Sequence, residues 1–254
     1  MKQMKFFLVA LLTVVMGVSV TSCMNGDDNT QVSDRPIIGK VKDNFLNLTF
    51  TSLDGYTFKS KNTVDGTSNL MTNDYILAIC NYDTSIDIDP STNTINATVS
   101  GVEKISGNAV VETSKTEDGA EGAIYKSNRG VINIDNIKPL FIDNYNLLIP
   151  IQYFAYEKRT AHTFKLVYYS DESEMAGKTT LKVYLRHTST EDQTKETKYD
   201  YVYRVFNLNS ALRSFKTLNG SYPTKIVIEA EINTGTNKVP ESTNPTSVDY
   251  AFKE

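Results

Sequence analysis

Cys23 stands directly after Val20-Thr21-Ser22, at the end of an apolar run that begins at Phe6. Small residues just before a cysteine, behind a basic start (Lys2, Lys5) and about 15 apolar positions, are what a bacterial lipoprotein peptidase requires. The thiol, already carrying a diacylglyceryl group, becomes the new N-terminus. A membrane span would need about 20 apolar residues. The chemistry expected at Cys23 is therefore lipid attachment, palmitate included, and several acyl chains together make a stable anchor where one short chain is marginal. A secreted chain with an incidental cysteine at its cleavage point is the weaker reading, because the polar Asn25-Gly26-Asp27-Asp28 that follows also fits a lipoprotein.

Two histidines, His162 and His187, are the other candidates for chemistry, each expected at a strand end. Were their strands neighbours, the rings would meet as a metal pair or an acid/base group, with Asp171, Glu172 or Glu174 nearby. Two ligands without a third close in sequence make an incomplete zinc site, so rings bonded to loop backbone are the preferred reading. Asp83, Asp87 and Asp89 lie in Asp83-Thr84-Ser85-Ile86-Asp87-Ile88-Asp89-Pro90. A calcium loop needs a sharp glycine-enabled turn, and here a proline follows; a solvated hairpin loop is expected instead. Cys80, inside the apolar Tyr75–Cys80 run, reads as a small buried hydrophobe. There is no Gly-x-Ser-x-Gly elbow, no histidine in the same half as Cys80, and no phosphate-cradling glycine loop. Catalytic residues, cofactor sites and metal sites are accordingly predicted as none.

Charge narrows the partners. Twenty-six basic residues against 30 acidic give a net −4 over 254 residues, and the pI is near 5.4. Such a surface offers no electrostatic footprint for nucleic acid. With Cys23 acylated, Cys80 has no partner for an internal disulfide, so stability must come from packed apolar cores. Fifteen Tyr and 11 Phe with no Trp, among many Thr, Ser and Asn, is a β-protein profile. The lack of Trp counts against carbohydrate binding without removing tyrosine platforms.

The elements that must position these residues are short strands. Residues 1–22 are a lipoprotein signal peptide, 23–34 a polar tether, 35–108 a small barrel of the oligonucleotide/oligosaccharide-binding (OB) type, 109–130 a linker, 131–234 an antiparallel β-sandwich and 235–254 a polar tail. In the barrel, Asp54-Gly55 marks a tight hairpin, Tyr75–Tyr82 a central strand, and Ile95, Ala97 and Val99 one face of another. In the sandwich, Pro150 places Leu147–Tyr156 at an edge or bulge. Leu181, Val183 and Leu185 then alternate, as do Ile226, Ile228 and Ala230, and Asn209–Phe215 forms one or two helical turns capped by Asn209 or Ser210. The odd positions of Tyr199-Asp200-Tyr201-Val202-Tyr203 line either the sandwich interior, which is preferred, or a protein-binding surface.

Asp143–Leu148, Ala161–Val167, Leu181–His187 and Phe206-Asn207-Leu208 appear in the order and spacing of the C-terminal domain of the NigD-like family. Leu53–Thr57 and Val99–Val102 resemble that family's N-terminal barrel more weakly. The resemblance implies a lipid-anchored envelope protein of two β-domains, named after a bacteriocin gene cluster, with no catalytic residues to carry over. It implies a non-enzymatic protein at the outer membrane, held there through its lipid, with a protein (a bacteriocin) or a glycan as partner. A fimbrillin-like pilus subunit and a glycan-binding surface lipoprotein are the alternatives. Asp27 and Asp28 form only a thin version of the acidic patch that directs such proteins to the outer surface.

Overall fold

The computed structural model describes residues 30–119, 126–134, 137–156, 159–192, 198–235 and 239–253. Cys23 and the leader lie outside these residues. The chain divides into two compact units that meet between Ser106 and Gly107.

The first unit is built from β1 (Gln31–Asp43), β2 (Thr49–Ser52), β3 (Thr57–Ser60), β4 (Tyr75–Asp83), β5 (Ile88–Asp89) and β6 (Thr94–Lys104). β1 is long enough to pair on both sides, antiparallel to β2 and to β4. β3 returns from β2 through the Asp54-Gly55 turn, where Gly55 takes φ +94°, and pairs in parallel with β6, Phe58 opposite Ile95. β6 in turn pairs with β4, and the five strands close into a barrel. Closure leaves no long edge exposed and gives the alternating apolar residues one shared interior. Val41, Phe50, Phe58, Ile76, Ala78, Cys80, Ile95, Ala97 and Val99 fill it, with Phe50 and Phe58 stacked at 5.2 Å. Cys80 is fully buried, and that burial pushes its thiol up to about 12, so it is inert at neutral pH. Val64 and Leu70, from the long β3–β4 connection, join the same core.

The second unit contains β7 (Val110–Thr113), β8 (Leu140–Phe141), β9 (Asn146–Ala155), β10 (His162–Tyr169), β11 (Thr180–Ser189), β12 (Lys198–Asn207), β13 (Lys225–Ile232) and β14 (Ser242–Asp249). A five-stranded sheet runs β14-β13-β11-β10-β7 and a three-stranded sheet β12-β9-β8. Their shared core includes Leu147, Ile149 and Ile151 from one sheet and Leu166, Val183, Ile226 and Ile228 from the other. The helix Asn209–Asn219 carries the chain from one sheet to the other and buries Ala211, Leu212 and Phe215. It is longer than the one or two turns expected and ends at Gly220, whose φ of +75° makes an αL cap. Its N-cap is Leu208, which is fully buried and makes no side-chain cap, while the Asn207 side chain accepts the Asn209 N–H at 3.1 Å. Pro150 pairs with Tyr203 at a stretch of β9 that lies beyond the short β8, so its missing donor falls where β8 does not reach.

Five expectations need correction, three of them at boundaries between segments. The tether expected over 23–34 becomes strand from Gln31, where Gln31 and Val32 pair with Asp83 and Tyr82. The linker expected over 109–130 supplies β7, which pairs in parallel with β10, and a short helix, Lys115–Gly119. Part of the polarity of that stretch is buried charge: Asp118 accepts hydrogen bonds from Arg186 and the Tyr169 hydroxyl, and Arg186 also meets Glu231 at 3.0 Å. The tail expected over 235–254 contains β14, antiparallel to β13 across Ser242–Asp249. An edge strand satisfies its backbone on one side only and shows both faces partly to solvent, so its sequence need not alternate. The fourth correction is β12, whose even positions Val202 and Phe206 enter the sandwich core; on the odd face Tyr199 is 69% exposed, while Tyr203 and Val205 are buried outside that cluster. Two pairings of the sandwich, β7–β10 and β11–β13, are parallel rather than antiparallel; the second requires the helical crossover.

Gly39 lies on β1 at an inward position opposite Ser52. A Cβ there would collide with the Phe50 ring and sit 2.8 Å from the Thr51 carbonyl oxygen. Gly39→Ala therefore forces Phe50 out of its place in the barrel. The expected loss is about 1–3 kcal/mol of unfolding free energy, measured by urea denaturation, and an unchanged midpoint would contradict this packing.

Candidate functional site

The two histidines meet. β10 and β11 pair antiparallel with Phe164 opposite His187 and His162 opposite Ser189. This register puts the rings side by side on the inner face, 6% and 1% exposed. His162 Nδ1 lies 2.9 Å from His187 Nε2, and His187 Nδ1 lies 3.2 Å from the Gly130 carbonyl oxygen. A carbonyl only accepts, so His187 carries its hydrogen on Nδ1. Its Nε2 then accepts, and His162 Nδ1 must donate.

His162 Nε2 is the remaining nitrogen. It lies 3.0 Å from Glu191 Oε2, an ion-pair distance without the alignment of a hydrogen bond. On a neutral His162 that nitrogen presents a lone pair, which a carboxylate repels. The Glu191 carboxylate therefore pulls the ring toward its protonated form, and burial, the larger effect, still holds His162 below its ordinary value. Oε2 also accepts the Tyr156 N–H at 2.7 Å. Arg129, 2% exposed, donates to the backbone carbonyls of Asn128 and Glu191.

Aromatic rings seal the pair. Tyr153 lies against both imidazoles and Phe164 stacks on His187 at 4.5 Å. The Tyr153 hydroxyl donates to Asp200, which a two-pronged Arg159 grips at 2.7 and 2.9 Å. Burial raises the Asp200 carboxyl, but the Arg159 fork and the Tyr201 N–H more than offset this and hold it below its ordinary value. Burial drives His187 down to about 3, with His162 adding to the shift. Burial also lowers His162, against the opposing pull of Glu191.

The arrangement clamps the chain. The His187 backbone carbonyl accepts the N–H groups of Asn128 and Arg129, its N–H donates to Ser127 Oγ, and its ring holds Gly130. Asn128 and Ser189 exchange two further bonds. The pair thus fastens residues 127–130 to the end of β11.

Asp171, Glu172 and Glu174, the carboxylates expected near the pair, lie past the opposite end of β10, in the connection to β11. The carboxylate that does reach His162 is Glu191, two residues beyond β11. The signal that finds it is register: in a hairpin turning through 171–178, residues just after His187 return to the start of β10. Among the described residues, no group of three His, Cys, Asp or Glu side chains is placed to hold a metal ion. Asp83, Asp87 and Asp89 take up turn roles, accepting from Ser85, Ser91 and the Asp83 N–H, and Asp87 pairs with Lys61. Cys23 falls outside the described residues.

With this geometry in hand, the likeness to solved structures is one of fold. A crystal structure described as a lipoprotein from Bacteroides fragilis matches with a TM-score of 0.68 at 21% identity, covering 88% of this chain and all of that one. A NigD-like immunity protein from Bacteroides caccae matches with a TM-score of 0.50 at 14% identity, over 86% and 93% of the two chains. A protein of unknown function from Bacteroides vulgatus matches at 0.54 and 9% identity, over 85% and 90%. No family model matches the chain, and no curated protein does. The class defined is an all-β protein with an OB-like barrel followed by a β-sandwich. That is the fold which the resemblance to NigD-like proteins implies.

The histidine pair has a pH signature. Both rings are held neutral below their ordinary value of 6.5, while the unfolded chain takes up protons near that value. The unfolded state therefore binds more protons, and stability falls as pH falls from 6.5 toward 3. Carboxylates held low, such as Asp200, lose their contribution only below about 4. We expect the melting temperature to decline between pH 6.5 and 4.5. In His162→Gln/His187→Gln, thermal melts should start about 1–3 kcal/mol less stable at pH 7 and decline much less across that window. A parallel decline would exclude the pair as its source.

Proposed function

We propose that the mature protein is a non-enzymatic protein of the cell envelope, anchored by lipid at Cys23, that works by binding another macromolecule. The observation that carries this is the leader: two lysines, an apolar run, small residues and then Cys23. Fold likeness to a protein described as a lipoprotein and to a NigD-like immunity protein supports it. On this reading the anchor inserts in the outer membrane and the partner is a protein, with protection against a co-encoded bacteriocin as the role.

The histidine pair supports a binding protein over an enzyme. Three of its four ring nitrogens are held in one line of hydrogen bonds, and the fourth faces Glu191 under a lid of aromatic rings. A general base needs a nitrogen that reaches a substrate. The pilus reading needs a terminal segment to be donated between subunits, and it is disfavoured because β1 and β14 both pair within their own chain.

Cells fed radiolabelled palmitate should incorporate label into the mature protein, and Cys23→Ser should abolish incorporation and release the chain from the membrane fraction. Label that persists in Cys23→Ser would remove the anchor. Deleting the gene should raise sensitivity to a toxin encoded beside it, and unchanged sensitivity to every such toxin would remove the immunity role.

A further inference from the structure

One pole of the barrel carries large apolar side chains in solvent. Phe45 and Leu46, in the β1–β2 loop, are 87% and 80% exposed, and Met71, in the β3–β4 connection, is 70% exposed. The Asn44 side chain fastens the two loops together, donating to the carbonyls of Thr67 and Leu70 at 3.1 and 2.7 Å. Thr72 Oγ1 adds a bond to the Lys42 carbonyl, and the Asn73 N–H one to that of Val41. The same loops send Leu48, Val64 and Leu70 into the barrel core. They therefore have an interior within reach, yet hold three of their largest apolar groups outside it.

We infer that this pole is the docking surface for the macromolecular partner, and that the partner is a protein which covers Phe45, Leu46 and Met71 with an apolar segment of its own. The inference deepens the proposed function and takes its orientation from the anchor at Cys23. Seven residues, 23–29, separate the described chain from that anchor, a reach of at most about 25 Å. The chain enters the barrel at the other pole, where the Thr84 N–H bonds to the Thr30 carbonyl. β1 then runs 13 residues, at most roughly 40 Å at 3.3 Å each and less for its irregularities after Val32 and Val41, before it reaches Phe45. The apolar loops thus stand at the end of the barrel away from the lipid.

Their chemistry selects among partners. Phe and Met are interface residues, and Met adapts to irregular apolar clefts. A glycan is recognised by hydrogen bonds to its hydroxyls as well as by flat rings, and none of these three side chains has a polar atom to offer. Ile86, exposed at the opposite pole, makes a matched control.

The test uses the full mature chain carrying Cys23→Ser, with Phe45→Ser/Leu46→Ser/Met71→Ser added on that background. All three side chains already face water, so melting temperatures should agree; should the triple variant fail to fold, Phe45→Ala alone takes its place. A random dodecapeptide library is selected on the parent chain. The expected peptides are rich in apolar residues and bind the patch variant at least about tenfold more weakly, while Ile86→Ser binds them as the parent does. Selection of no peptides, or equal affinity for the patch variant, overturns the inference. So does flotation of the parent, but not the patch variant, with phosphatidylethanolamine/phosphatidylglycerol vesicles, which would assign the pole to a bilayer. A parent dimer that the patch variant abolishes, seen by sedimentation, would assign it to a second copy and likewise overturn it. Failure of palmitate labelling would remove the anchor and leave these binding outcomes to stand by themselves.

Discussion

Every strand in this protein must find partners for its backbone, and the two units meet that demand in different ways. In the barrel the parallel pairing of β3 with β6 closes the ring, Thr57 through Ser60 against Thr94 through Ala97. Without that short contact, β3 and β6 would each present an open edge and the Phe50–Phe58 stack would lie at a solvated rim. The sandwich cannot close on itself. It finishes its larger sheet with β7 on one side and β14 on the other, both drawn from polar stretches. Edges of this kind, rich in polar residues, discourage pairing with other chains while still satisfying the strand beneath.

Buried charge follows from the same arrangement. The helix Lys115–Gly119 follows edge strand β7 and brings Asp118 to Arg186 and Tyr169. At the other end of the β10–β11 hairpin, Ser127 to Gly130 attach to β11 through the His187 backbone and ring. In both places a polar segment is fastened to the sheet by a partnered buried group, because a segment with few apolar residues gains little from burial alone. The histidines therefore belong to the architecture. Their neutral state, enforced by aromatic walls, favours clamping over proton transfer at neutral pH.

The barrel interior, the Asp54-Gly55 turn and the alternation in β11 and β13 were legible in sequence because each depends on local spacing alone. Val183 and Ile228 had to face a core whichever strands lay beside them. The face of β12 was not legible in the same way. Tyr199, Tyr201 and Tyr203 look more apolar than Asp200 and Arg204, yet the even face is the inner one. The Arg159 grip on Asp200, and Arg204 lying over the Phe164 ring at 6.0 Å, let those charges sit on it. Such compensation comes from residues distant in the chain, and no local pattern reveals it. Glu191 likewise reaches His162 only through the register of the β10–β11 hairpin.

By itself, then, the sequence determined the class of structure, the run of small residues that ends at Cys23 and the acidic net charge, since each rests on composition or on residues adjacent in the chain. The tertiary structure alone decided that two histidines 25 positions apart share a hydrogen bond, that apparent linker and tail residues complete a sheet, and that Phe45, Leu46 and Met71 share a pole. These are outcomes of strand register and sheet order, and the pairing energy that selects them is spread over contacts between residues far apart in the chain.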